Sequence, residues 1–280
     1  MGTRIKQDIR EVQAIDVHGH YGIYHGDKSK LLNEFMTGDE KIVVERARLS
    51  NTRLTIVSPL LGLLPRLNND PVAGNDDSAR VTKKAERLLQ WVIIDPRKPQ
   101  TYEQAREMLK SPKCAGIKIH PEEHGYSIKK WGREIFEFAA KHHAIVLSHS
   151  GEKNSMPADL VAFANKFSEA VLILAHLGCG WDGEPSHQVC AIQKSKYGNV
   201  YVDTSSAKNI FPGLIEWAVK EIGSERLLYG TDTPFYFAPM QRARIDNAHL
   251  SYKAKKQILS DNAMKIFHFQ IGKNYEMAKS

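Results

Sequence analysis

Residues 14–20 read AIDVHGH. An apolar run, Ala14–Val17, breaks off into two histidines, His18 and His20, spaced by one glycine. In an extended chain successive side chains point to opposite faces, so these two imidazoles share a side. The same cadence returns along the chain at Leu54–Ser58, Trp91–Ile94, Gly116–Ile119, Ala144–Ser148, Val171–Ala175, Val200–Asp203 and Leu227–Gly230. Between the runs lie stretches of helical periodicity, among them Gln104–Leu109, Ile135–His142, Leu160–Phe167 and Leu214–Ile222. Strands apolar on both faces and alternating with helices form a parallel sheet. Eight such units, each of roughly 25–40 residues, close into a barrel. The expectation is an α/β fold, a (β/α)8 TIM barrel, with residues 1–280 as a single domain. An open doubly wound sheet fits less well, because no GxGxxG follows the first run.

Two connections stand out. Residues 60–77, LLGLLPRLNNDPVAGNDD, are rich in Gly, Pro and Asn and read as a loop ahead of a helix starting near Ser78. Gly19 to Glu40 forms another, carrying Tyr21, Tyr24 and His25. Loops of this length on a barrel serve its ligand end.

Composition narrows the class. Hydrophobic residues at 42% and charged residues at 25% are ordinary for a soluble globular protein. The net charge of +7 attracts anions such as a carboxylated substrate. Its lysines and arginines are scattered, without the dense runs of a nucleic-acid face. No apolar run approaches the roughly 20 residues of a membrane span, and the first residues are polar, so a cytoplasmic protein is expected. Cys114, Cys179 and Cys190 are odd in number and lack CxxC spacing, which suggests neither disulfides nor a cysteine zinc site.

Groups able to bind a metal sit where the runs end: His18 and His20 on the first, His120 on the fourth, His149 on the fifth, His176 on the sixth and Asp232 on the eighth. In a barrel those ends meet at one mouth, where active sites of this fold lie. Imidazoles with a carboxylate suit a borderline divalent ion such as zinc, with a position left open for water or substrate. Asp16 shares the parity of the two histidines but lies deeper, as a buried hydrogen-bonding residue. Lys118 should point inward with His120. Arg66 could clamp a carboxylate, Trp181 could cover the pocket, and Glu122, Glu123, His124 and Tyr126 either line the mouth or form a solvated turn.

The chain resembles the amidohydrolase superfamily, and within it the branch of aminocarboxymuconate-semialdehyde decarboxylase and related metal-dependent hydrolases. The motifs are AIDVHGH (residues 14–20), GIKIHP (116–121), IVLSHSG (145–151), LAHLG (174–178), NVYVDTS (199–205), LLYGTDTP (227–234) and ILSDNAMKIF (258–267). The resemblance implies His18, His20, His149 and Asp232 as ligands of one divalent metal, zinc first, with manganese or another divalent ion as alternatives. It implies His176 as acid or base, beside Asp232 as the acceptor of a proton from metal-bound water. Some members carry a carboxylated lysine on the fourth strand bridging two ions. This branch mostly uses one, so Lys118 is expected buried and paired, with Asp95 as partner, and His120, Lys118, Tyr21, Arg66 and Trp181 are the candidate substrate contacts. The leading function is hydrolysis of a C–N, C–O or lactone bond in a small anionic molecule. Non-oxidative decarboxylation is the alternative, and several decarboxylases of the branch replace the first histidine with glutamate. A catalytically inactive ligand-binding barrel is the third reading, and a homodimer stays open.

Overall fold

The computed structural model describes residues 8–64, 70–205 and 209–267. Eight parallel strands follow one another round the sheet in chain order. They are β1 (Ala14–Tyr21), β2 (Thr52–Pro59), β3 (Leu88–Ile93), β4 (Cys114–Ile119), β5 (Ile145–Ser148), β6 (Val171–Leu174), β7 (Val200–Asp203) and β8 (Leu227–Leu228). The ring closes where the first and last strands meet: Val17 N donates to Tyr229 O at 2.9 Å, Asp232 N to His18 O at 2.7 Å and His20 N to Thr233 O at 2.6 Å. All eight expected runs are strands, and the fold is the (β/α)8 barrel.

Helices return the chain after each strand. α1 (Lys30–Met36) and α2 (Glu40–Leu49) follow β1, and α3 (Leu60–Leu63) and α4 (Pro71–Lys84) follow β2. α5 (Pro99–Met108), α6 (Ile128–Lys141), α7 (Pro157–Ala164), α8 (His187–Ile192) and α9 (Leu214–Ile222) follow β3 to β7 in turn. After β8 come α10 (Ala238–Asp246), α11 (Tyr252–Lys256), a π-helical turn at Gln257–Asp261 and α12 (Asn262–Ile266). Among the described residues no helix is long and apolar enough to cross a membrane.

The core has two main bodies. One joins outer strand faces to helices, as Val92, Ile117 and Val146 do with Ile135, Phe136, Leu160 and Ile215. The other draws on every strand, including Ile56, Trp91, Ala115, Leu147, Ile173, Tyr201 and Leu228, and fills the barrel. Phe267, just after α12, packs on Trp91 with ring centroids 5.7 Å apart and helps close the floor. The opposite rim carries the C-terminal ends of the strands, where His18 and His20 of β1 stand.

Residues 60–77 correct the sequence reading, because their described part is mostly helical. Asp70 caps α4 by accepting from Val72 N, and Pro71 supplies the preset first turn. Gly74 is a packing residue: a Cβ there would lie 2.6 Å from Gly62 Cα on α3. Asn75 is buried and bonds the main chain of Ile93, accepting from N at 2.7 Å and donating to O at 2.9 Å. The composition of a loop here serves close helix contact. Gly74→Val places side-chain carbons against backbone that no rotamer change can vacate. We expect it to cost about 3 kcal/mol, at the upper end of overpacking effects, read as a lower urea midpoint at unchanged slope. An unchanged midpoint would mean that α3 and α4 part freely.

Candidate active site

At the rim, β1 and the turn after β8 bring three buried donors together. Asp232 Oδ1 lies 3.0 Å from His20 Nε2 and 3.6 Å from His18 Nε2. One ligand atom from each of the three fits within a 4.8 Å span. The outer nitrogens are occupied: His18 Nδ1 is 2.8 Å from Asp203 Oδ2, and His20 Nδ1 is 3.2 Å from Ser58 O and 2.9 Å from its Oγ. An oxygen acceptor at Nδ1 puts the proton there and turns the Nε2 lone pair to the centre. Two imidazoles and a carboxylate so arranged fit a borderline divalent cation.

His176 and Asp232 have left-handed backbones, with φ of 67° and 58°. Such conformations cost of order 1–3 kcal/mol for a residue with a side chain and persist where surrounding bonds fix them. Here the bonds are His176 N to Asp203 Oδ1 at 3.0 Å and Asp232 N to His18 O at 2.7 Å. Asp203, at the end of β7, also forms a second compact group with His18 and His176.

Burial sets the charges. It drives His20 down to about 4, against the pull of Asp232, so the ring is neutral at pH 7. His120 and His176 also fall well below the usual histidine range through burial, reinforced by neighbouring imidazoles. For Asp232 burial acts upward, but the bond from His20 and the proximity of His18 and His176 outweigh it and hold the carboxyl far below its ordinary range. Burial brings Lys118 down to about 8, against the attraction of Asp203 and Asp232.

The remaining expected residues divide. His149 lies on the same cleft but outside both compact groups: its Nδ1 is 3.1 Å from His176 Nε2 and its Nε2 3.4 Å from Glu152 Oε1. His120 stacks on it at 4.0 Å between centroids. Trp181 stands at the mouth with Lys153 Nζ 4.6 Å from its ring centroid. Lys118 is buried, yet its partner is His18 Nε2 at 3.0 Å and not Asp95, whose carboxylate takes up Arg97. Period-two alternation turns Lys118 inward but says nothing of its height relative to β1. Tyr21 is a correction. One residue past His20 it faces the helices, packs with Val43, Val81 and Leu88, and donates to Asp77 Oδ2 at 2.8 Å. Arg66 lies outside the described residues. Asp16 accepts from Thr231 Oγ1 at 2.6 Å and from His18 N at 3.0 Å, and burial raises it to about 7. Of the turn after β4, Glu123 lines the cleft, Glu122 accepts from Asn154, and His124 and Tyr126 are buried.

Sequence reasoning left out Asp203 and Ser205, although both lie in a quoted motif. Their signal was an acidic residue at a strand's C-terminal end. It also left out Phe235, Tyr236, Leu63 and Leu64, cleft residues that only the folded loops identify.

The family model described as amidohydrolase matches residues 15–269. Among curated proteins, no sequence matches significantly. Similar solved structures include a dihydroxybenzoic acid decarboxylase from Polaromonas sp. JS666 with bound manganese and the inhibitor 2-nitroresorcinol, at 16% identity and TM-score 0.73, covering 94% of this chain and 98% of that one. A 2,6-dihydroxybenzoate decarboxylase from Rhizobium is 14% identical with TM-score 0.70, covering 91% and 98%. A 5-carboxyvanillate decarboxylase from Sphingomonas paucimobilis is 13% identical with TM-score 0.67, covering 92% and 99%. At these identities the likeness carries the fold. The family model spans nearly all of the barrel, and the chain belongs to the amidohydrolase family.

Proposed function

We propose that the protein is a metal-dependent decarboxylase of a small, unsaturated or aromatic carboxylic acid. One observation carries this reading: a cleft of about 350 Å³ with histidines and Asp232 on its floor and Tyr24, Phe235, Tyr236 and Trp181 on its walls. That volume suits a small molecule. Aromatic walls suit a flat ring, and a carboxylate held among them has shed much of its water, which favours loss of carbon dioxide over attack by water. The names of the three similar structures point the same way and move decarboxylation ahead of the hydrolysis expected first.

In this reading His18, His20 and Asp232, with His149 on the same rim as fourth donor, hold one divalent ion. When bound, the ion supplies Lewis-acid polarisation of a substrate oxygen. Zinc has no precedence over manganese, given the ion in the Polaromonas structure. Lys118 adds positive charge beside His18 and draws the acid toward the floor. His176 handles the proton: Nε2 takes one from solvent and passes it to the carbon that bears the carboxylate, where it forms the new C–H bond with the electron pair of the C–C bond that breaks, and carbon dioxide leaves. Hydrolysis is the second reading, favoured by His18 standing where several decarboxylases of the branch have glutamate.

The test loads purified protein with manganese or zinc and offers hydroxybenzoates and other unsaturated acids in one arm, esters, lactones and amides in the other. Carbon dioxide stoichiometric with product is expected in the first arm only, with about one ion per chain. Chelation should abolish turnover and leave the far-UV spectrum of a folded barrel, because its packing does not depend on the ion as a zinc finger's does. Turnover confined to the second arm would make the protein a hydrolase. Failure to bind metal under any loading would remove the basis of both readings.

A further inference from the structure

The Asp203 carboxylate is fully buried and surrounded by donors. Oδ2 accepts from His18 Nδ1 at 2.8 Å, and Oδ1 accepts from His176 N at 3.0 Å, Ser205 N at 3.0 Å and Ser205 Oγ at 2.5 Å. Two of those donors are main-chain N–H groups that cannot reverse, so a proton on Oδ1 has no acceptor to face. The Ser205 hydroxyl has one proton, and it goes to Asp203. Towards its other neighbours Ser205 Oγ can then only accept.

Those neighbours are His176 Nδ1 at 2.7 Å and, more distantly, His18 Nδ1 at 3.1 Å. His176 must therefore carry its proton on Nδ1, which leaves Nε2 as the one basic nitrogen of the ring. His149 Nδ1, 3.1 Å from that Nε2, must in turn be a donor. The proton it shares with His176 is then on Nδ1, while Glu152 Oε1 stands 3.4 Å from its Nε2. A single carboxylate thus dictates the tautomers of two histidines on two strands, His18 directly and His176 through Ser205. Tautomer choice by a partner at the second ring nitrogen is the general rule for such sites.

We propose that Asp203 and Ser205 are positioning residues that hold the proton of His176 on Nδ1 and so fix which nitrogen, Nε2, the ring turns toward the cleft. No proton travels along the chain. This rests on the reading of His176 as proton carrier, although the tautomer itself is independent of any substrate.

Histidine-labelled 15N protein, zinc-loaded because manganese would broaden the signals, is examined by two-bond 1H–15N correlation. Resonances of His176 are identified by their loss in His176→Asn. Wild type should show His176 protonated on Nδ1 with a bare Nε2. Ser205→Ala should move it toward Nε2–H, the form an unpartnered imidazole prefers, with kcat lower by about 10- to 100-fold and KM and metal content unchanged. An Nε2–H ring in wild type would overturn the proposal. So would a tautomer indifferent to Ser205→Ala in a variant that melts like wild type. If no substrate releases carbon dioxide, the decarboxylase reading fails while the tautomer result still decides this one.

Discussion

Asp232→Asn should lower kcat by roughly 10³–10⁴ and leave the barrel folded, the loss expected when a charged group in direct contact with the reacting centre is neutralised. Asp232 is the carboxylate of the compact donor trio, 3.0 Å from His20 Nε2. Asparagine keeps the shape and removes the charge. It also keeps the backbone, because the left-handed conformation at position 232 is one that Asn and Asp tolerate better than other side chains do. Alanine would mix lost chemistry with strain. Thermal melting, metal content and kcat on the same preparation separate the effects. Turnover like wild type would remove Asp232 from the mechanism.

His176→Asn carries the second large effect and chooses between one metal and two. Asparagine again suits a left-handed position, here with φ of 67°. If His176 is a proton carrier outside the coordination sphere, the variant should retain about one ion per chain while kcat falls roughly 10²–10⁴, the usual contribution of a positioned acid or base. If His176 instead helps to bind a second ion beside a carboxylated Lys118, wild type should hold about two ions and the variant about one. A fall from two ions to one would overturn both assignments.

How far the sequence reached depended on what each residue's neighbours had to supply. The barrel was legible because eight apolar runs with helical spacers leave few other ways to bury both faces of every strand. Convergence of His18, His20 and Asp232 followed from strand parity and the fact that a barrel gathers its strand ends. Partners across strands were not legible: Lys118 meets His18 and not Asp95, because choosing between them needs the relative height of β1, β3 and β4. Residues 62 and 74–75 misled for a similar reason. Glycine and asparagine signal a loop locally, whereas Gly62, Gly74 and Asn75 answer a close helix contact and the main chain of Ile93. Asp203 escaped notice because its importance lies in the donors converging on it from His18, His176 and Ser205. No spacing rule encodes that.

The seam where β1 meets the end of β8 has a consequence for how the protein is made. Of the main-chain bonds that close the ring, Asp232 N to His18 O joins two members of the donor trio, and His20 N to Thr233 O joins the third to the neighbour of Asp232. These residues lie near opposite ends of the chain, so a ribosome releases the histidines long before the aspartate. While the residues between them are made, the nascent chain holds two of the three donors and an unclosed sheet with two bare edges. Closing the sheet and completing the trio are then one late, long-range event, of the slow kind that leaves exposed edges open to misassembly. A cation that prefers the complete trio would act on the last step of folding, favouring the closed ring over chains that have yet to join their ends.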